Sequence, residues 1–124
     1  MAQQRNKTND HQNTRRLCSL QAMAENDCRE FIAGDQPAFL IKSRARAYAY
    51  KNSCPHTGAP LNWKPNAFVD AENKYILCAL HGALFEIDTG LCVFGPCVGG
   101  RLEPIRLEMT GEEVYLIERI APGE

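Results

Sequence analysis

No part of this chain is apolar for long. Its uninterrupted apolar runs are a few residues each, far short of the ~20 that a membrane-crossing helix requires. Neither sign of charge dominates: 14 Lys and Arg stand against 15 Asp and Glu, a formal net charge of −1. The electrostatic footprint of a nucleic-acid binder is therefore missing. No G-x-G-x-x-G segment occurs, which removes the usual dinucleotide fingerprint. Histidine occurs only three times and tryptophan once, and there is no internal repeat or low-complexity tract. Residues 1–16 carry four basic groups and one acid and lack the apolar core of a secretory signal. They read as a disordered polar arm, with His11 a bystander in it, and the sharper alternative is a docking arm for an acidic partner. A cytoplasmic location with reduced thiols is expected.

What remains is a chain of 124 residues, enough for one modest domain with its own core. The short apolar runs repeat with a period of two rather than 3.6, so strands are expected and helices are not. Strands are predicted at 17–19, 28–33, 37–42, 47–52, 75–77, 84–87, 91–94, 105–110 and 114–118, with a loop or single helical turn at 21–27. Gly34-Asp35-Gln36 and Asp88-Thr89-Gly90 mark turns. Asn62 to Asn73 reads as a polar excursion, under which Trp63 is expected to pack. The fold class is all-β.

Cysteine is the one reactive residue type in good supply, with six copies. Two of them fall in short boxes with histidine: Cys54-Pro55-His56, continuing Thr57-Gly58-Ala59-Pro60-Leu61, and Cys78-Ala79-Leu80-His81, continuing Gly82-Ala83-Leu84-Phe85-Glu86-Ile87-Asp88-Thr89-Gly90. Such pairs point to a metal. Zinc takes the same ligand types, normally through wider C-x2-4-C and H-x3-5-H boxes. Cys18 and Cys28 fall in predicted strands as small buried hydrophobes. Cys92 and Cys97 read as two packed thiols, with a redox-sensitive pair as the alternative.

The two boxes, in this order and with their flanking residues, resemble the Rieske [2Fe–2S] family, and in particular its small soluble ferredoxin-like members. The resemblance runs from about Leu17 to Ile120. It implies stacked antiparallel sheets with a cluster-binding subdomain inserted at about residues 53–99, in a domain spanning 17–120. It further implies one [2Fe–2S] cluster per chain, with Cys54 and Cys78 on one iron and His56 and His81 on the other. Two ferric ions, two sulfides and two thiolates make a formally neutral oxidised centre. A neutral centre accepts an electron more readily than the anion an all-cysteine set would give. Gly95 to Gly100, rich in glycine and holding Pro96, corresponds to the loop that shields the third side of the cluster. Pro55, Thr57, Gly58, Leu80, Gly82 and Pro96 should surround the imidazoles at a small apolar tip.

The resemblance also sorts among kinds of Rieske protein. Respiratory members carry one further cysteine in each box, joined as a disulfide; the matching positions here hold Ala59 and Leu80. They also place serine and tyrosine hydroxyls against the cluster sulfurs, where this chain has Ala83 and Phe85, which have no side-chain donor. A potential toward the low end of the Rieske range is expected. A mononuclear-iron oxygenase site needs two histidines and a carboxylate. With His56 and His81 assigned to the cluster, His11 alone cannot supply it. The expected role is therefore an electron carrier rather than an enzyme. It would shuttle single electrons between a reductase and a terminal oxidoreductase such as an oxygenase, with no nucleic-acid or membrane partner. The alternatives are a non-catalytic subunit, including one like the small subunit of assimilatory nitrite reductases, and a redox-sensing binding module.

Overall fold

The computed structural model describes residues 12–55, 57–62 and 64–119. Nine strands follow one another: β1 (Gln12–Ser19), β2 (Cys28–Ala33), β3 (Gln36–Ser43), β4 (Arg46–Lys51), β5 (Tyr75–Leu77), β6 (Leu84–Glu86), β7 (Cys92–Phe94), β8 (Leu107–Thr110) and β9 (Glu113–Arg119). The helical content of the described residues is one 3-10 turn, Leu20–Ala22. No helix among them is long and apolar enough to cross a membrane. The strands form three antiparallel sheets of three, in the orders β1-β9-β8, β2-β3-β4 and β5-β6-β7. The all-β expectation holds.

The β2-β3-β4 sheet is the middle layer, and β3 explains why. Ala38, Phe39, Leu40 and Ile41 are all buried, because alternate side chains leave opposite faces of a strand and here both faces are covered. Leu40, with Ala49 of β4, packs with Cys18, Leu20, Met23 and Val114 toward the β1-β9-β8 sheet. Phe39 and Ile41 point the other way, into a core with Leu61, Phe68, Ile76, Phe85, Leu102 and the two box cysteines. The half that carries the two boxes is thus seated on the middle sheet. Tyr50 reaches across from β4 and donates its hydroxyl to the Ile87 carbonyl at 2.6 Å. Gly90, at φ +75°, closes the turn beneath that ring; a Cβ there would lie 2.8 Å from Tyr50 Cε1, so the position excludes any side chain.

Two local readings of the sequence change. Strand β1 starts at Gln12, not at Leu17, so residues 12–16 belong to a strand rather than to a disordered arm. The reason is that β1 is held by its backbone ladder to β9, from Gln12↔Arg119 to Ser19↔Glu113. Such pairing needs no apolar alternation. Arg16 Nε adds a bond to Glu113 Oε1 at 2.5 Å, and the Arg15 guanidinium donates to the Ile32 carbonyl. The part of the proposed arm before residue 12, with His11, lies outside the described residues.

The second change concerns the polar excursion after the first box, which has an apolar anchor. Phe68 is fully buried, its ring stacked on Phe39 with centroids 4.0 Å apart and planes 8° from parallel. Trp63 lies outside the described residues. Phe68→Ala should destabilise the protein by ~3–5 kcal/mol, as full burial of a large ring predicts. Chemical denaturation reads this directly, and a change below ~1 kcal/mol would mean the stacked pair does not hold the excursion down.

Candidate metal centre

The two boxes form loops of the same design. In the first, Cys54 N–H donates to the Ala59 carbonyl at 2.8 Å, and Gly58 N–H returns to the Cys54 carbonyl at 2.6 Å. In the second, Cys78 N–H donates to the Ala83 carbonyl at 2.9 Å, and Gly82 N–H returns to the Cys78 carbonyl at 2.8 Å. In each loop the cysteine bonds to the fifth residue on, and the glycine four residues on bonds back to it. Gly58 (φ +81°) and Gly82 (φ +75°) occupy the left-handed region that lets the chain turn this sharply. The loops are joined to each other where Ala79 N–H donates to the Leu61 carbonyl at 2.8 Å.

Their supports differ. The first loop leaves β4 through Asn52, whose side chain accepts from Leu61 N–H at 2.7 Å and donates to Asn62 Oδ1 at 2.9 Å. Asn62 in turn donates to Glu30 at 3.2 Å, and Glu30 accepts from Asn66 N–H at 2.7 Å, so β2 carries the end of that loop. The second loop is the connection between β5 and β6, which pair Leu77↔Leu84.

This framework buries both candidate thiols, Cys54 at 1% and Cys78 at 0% exposure, and brings their side chains into hydrogen-bonding reach of each other. Burial pushes the Cys78 thiol above its ordinary pKa. Backbone N–H groups of His81 and Leu80 aimed at its sulfur act in the opposite direction, and Cys54 beside it raises it further. Amides directed at a sulfur favour the thiolate, the form that binds iron, and metal binding would displace the thiol proton. His81 sits on the exposed side of the loop, between exposed Leu80 and half-buried Gly82. His56 lies outside the described residues. Among the described residues no three His, Cys, Asp or Glu side chains converge into one metal site.

The residues fit a binuclear cluster in their donor chemistry. Two buried thiols face each other from two equivalent loops, and each box carries a histidine two or three residues further on. Ala83 and Phe85, which follow the second box, are fully buried and offer no side-chain donor. The segment after β7 forms a third loop against both others. A Cβ on Gly95 would lie 2.7 Å from Ala83 Cα, and one on Gly100 would lie 3.8 Å from Pro55 Cβ. Cys97 lies in this loop, its Sγ 3.0 Å from Cys92 Sγ and its side chain also reaching Cys54. Burial foremost, then the neighbouring thiols, push its pKa up to about 12.

The rim of the three loops is apolar and exposed. Pro55, Thr57, Gly58, Leu80 and Pro96 are all open to solvent. Phe94 at 63% and Val98 at 64% exposure extend the patch beyond those residues. The sequence reading put Phe94 at the end of a short strand and Val98 in the glycine-rich loop, and included neither in the tip.

Comparison with known proteins places these features. The sequence matches the family described as the Rieske [2Fe-2S] domain over residues 13–117. It is 33% identical over 87 residues to cholesterol 7-desaturase of Caenorhabditis elegans, covering 69% of this chain and 20% of that protein. The chain therefore spans about a fifth of the length of that curated relative. The fold is similar to the ferredoxin of carbazole 1,9a-dioxygenase from Nocardioides aromaticivorans IC177, with a TM-score of 0.68 and 23% identity over 86% of this chain and 98% of that one. It is also similar, at a TM-score of 0.68 and 17% identity, to the terminal oxygenase of that dioxygenase, covering 90% of this chain and 31% of that one. The chain belongs to the Rieske [2Fe–2S] domain family, whose cofactor is a [2Fe–2S] cluster.

Proposed function

We propose that this chain is a one-electron carrier of low potential. In this reading Cys54 and Cys78 hold one iron of the cluster, and His56 and His81 hold the other. When bound, the cluster supplies a site that gains and loses a single electron. The chain's own residues bury the thiolate end and leave His81 at the surface. The observation that carries the reading is that polarity of the site: Cys54 and Cys78 are sealed in the core while His81 lies exposed on an apolar rim. Such an arrangement presents one edge of a redox centre to a partner and excludes water from the other.

A carrier needs brief, repeated contacts, and the rim suits them. It is small, weakly charged and built from Pro55, Leu80, Phe94, Pro96 and Val98, in keeping with the small interfaces of transient redox partners. Likeness to a ferredoxin covered over 98% of its length supports a role as a separate carrier to an oxygenase. The second reading, a cluster module working inside or beside an oxygenase, is supported by the terminal oxygenase of which the chain covers 31%. Under both readings the rim is the contact.

Leu80→Asp places a charge at the centre of the rim, at a side chain 62% exposed, so the loop should survive. Stopped-flow reoxidation by an accepting oxidoreductase should slow by about tenfold with an unchanged cluster spectrum, since a desolvated unpaired charge disfavours the contact. An unchanged rate would move the contact away from the rim.

A further inference from the structure

We propose that Cys92 and Cys97 form a reversible disulfide that clamps the third loop across the two ligand loops. The pair is built for closure. Cys92 Sγ lies 3.0 Å from Cys97 Sγ, so roughly 1 Å of approach makes the bond. The backbone already doubles back to hold them opposite each other. Cys92 N–H donates to the Gly100 carbonyl at 2.9 Å, and Gly100 N–H donates to the Cys97 carbonyl at 2.8 Å. Cys92 is oriented by its own bond to the Phe94 carbonyl at 3.3 Å. Gly99, at φ +97°, makes the return possible. Neither cysteine is a candidate iron ligand, and neither occupies the positions of Ala59 and Leu80.

The exposures of the two sulfurs set the order of events. Cys97 is partly open to solvent and Cys92 is buried. A low-molecular-weight disulfide such as glutathione disulfide is the oxidant. Cys97 sulfur attacks it, the oxidant's S–S bond breaks, and one thiol leaves with the Cys97 proton. Cys92 then attacks the Cys97 sulfur of the mixed disulfide, and the second thiol leaves with the Cys92 proton. Two electrons and two protons pass from the pair to the oxidant. The product ties the loop that meets Pro55 and Ala83 to strand β7, so the loop can no longer swing clear of the ligand loops.

The test equilibrates purified protein for hours in glutathione buffers from fully reduced to fully oxidised, then alkylates it and maps the peptides by mass spectrometry. The expected result is a Cys92–Cys97 linked peptide, two hydrogen masses lighter, that appears with oxidation and reverts with reduction, while Cys18 and Cys28 stay free thiols. Amide hydrogen exchange across residues 95–100 should slow by about tenfold in the oxidised protein, as closure of a short loop predicts. Cys97→Ser should remove both responses while keeping the circular dichroism of the parent. Alkylation of both thiols at every poise would overturn the proposal, and so would a disulfide that leaves exchange across 95–100 unchanged. Neither readout requires a cluster, so failure of the carrier reading would be seen separately.

Discussion

Cys78→Ala is expected to yield a folded, colourless protein. Iron and sulfide should fall from about two of each per chain to near zero, because the iron loses one of its two charged ligands. The structure says why the loop should outlive the change. Its two supporting bonds, Cys78 N–H to Ala83 and Gly82 N–H to Cys78, use only the backbone. The site is fully buried, so the added loss is one sulfur atom of packing, on the order of 1–2 kcal/mol. Cys28→Ala is the matched control: this thiol is also buried and its pKa is pushed up to about 12 by burial, but it sits in β2 at the base of the core. It should keep full colour. Cys78→Ala that retained iron, sulfide and colour would remove Cys78 from the ligand set.

The second large effect concerns potential. The wild-type protein should lie near the lower end of the roughly −150 to +300 mV Rieske span. Reduction puts additional negative charge on the cluster and its sulfurs, and donors directed there favour the reduced state. Ala83 and Phe85 supply no side-chain donor, and both are fully buried, so water cannot stand in for one. Ala83→Ser with Phe85→Tyr should raise the potential by on the order of 60 mV for each hydroxyl that reaches a sulfur. That equals ~1.4 kcal/mol of preference for the reduced form in a one-electron couple. Gly95 packs directly against Ala83, so the added Ser hydroxyl must turn away from that glycine to reach a sulfur. Protein-film voltammetry reads the values. A clearly positive wild-type potential, or a double variant that does not shift, would contradict the donor argument.

Much of the architecture was legible because it is written in local patterns. The short apolar run of β3, bounded by turn residues, and the turn at Asp88-Thr89-Gly90 place strands and reversals without reference to the rest of the chain. The two boxes carry their own geometry, since a glycine four residues after each cysteine is what closes each loop. What was illegible depended on distant partners. Residues 12–16 look like a polar tail, and only pairing with β9, a hundred residues away in sequence, makes them a strand. Phe68 sits in a run of polar residues, and only Phe39 shows that it belongs to the core. Phe94 and Val98 follow the same logic in reverse: apolar by type, they are exposed at the end of β7 and in the loop that follows it. Cys92 and Cys97 were visible as neighbours in sequence, but their sulfur contact depends on the backbone closure at Gly100.

The central claim is mixed ligation by two cysteines and two histidines, and pulsed electron paramagnetic resonance of the reduced protein tests it most directly. The reduced cluster is paramagnetic, and nitrogen nuclei bound to its iron couple to the electron spin. The account predicts couplings from two imidazole nitrogens, with one lost in His56→Ala or His81→Ala wherever the cluster survives. A reduced protein whose spectrum carries no bound-nitrogen coupling, or a colourless protein holding stoichiometric zinc, would contradict it.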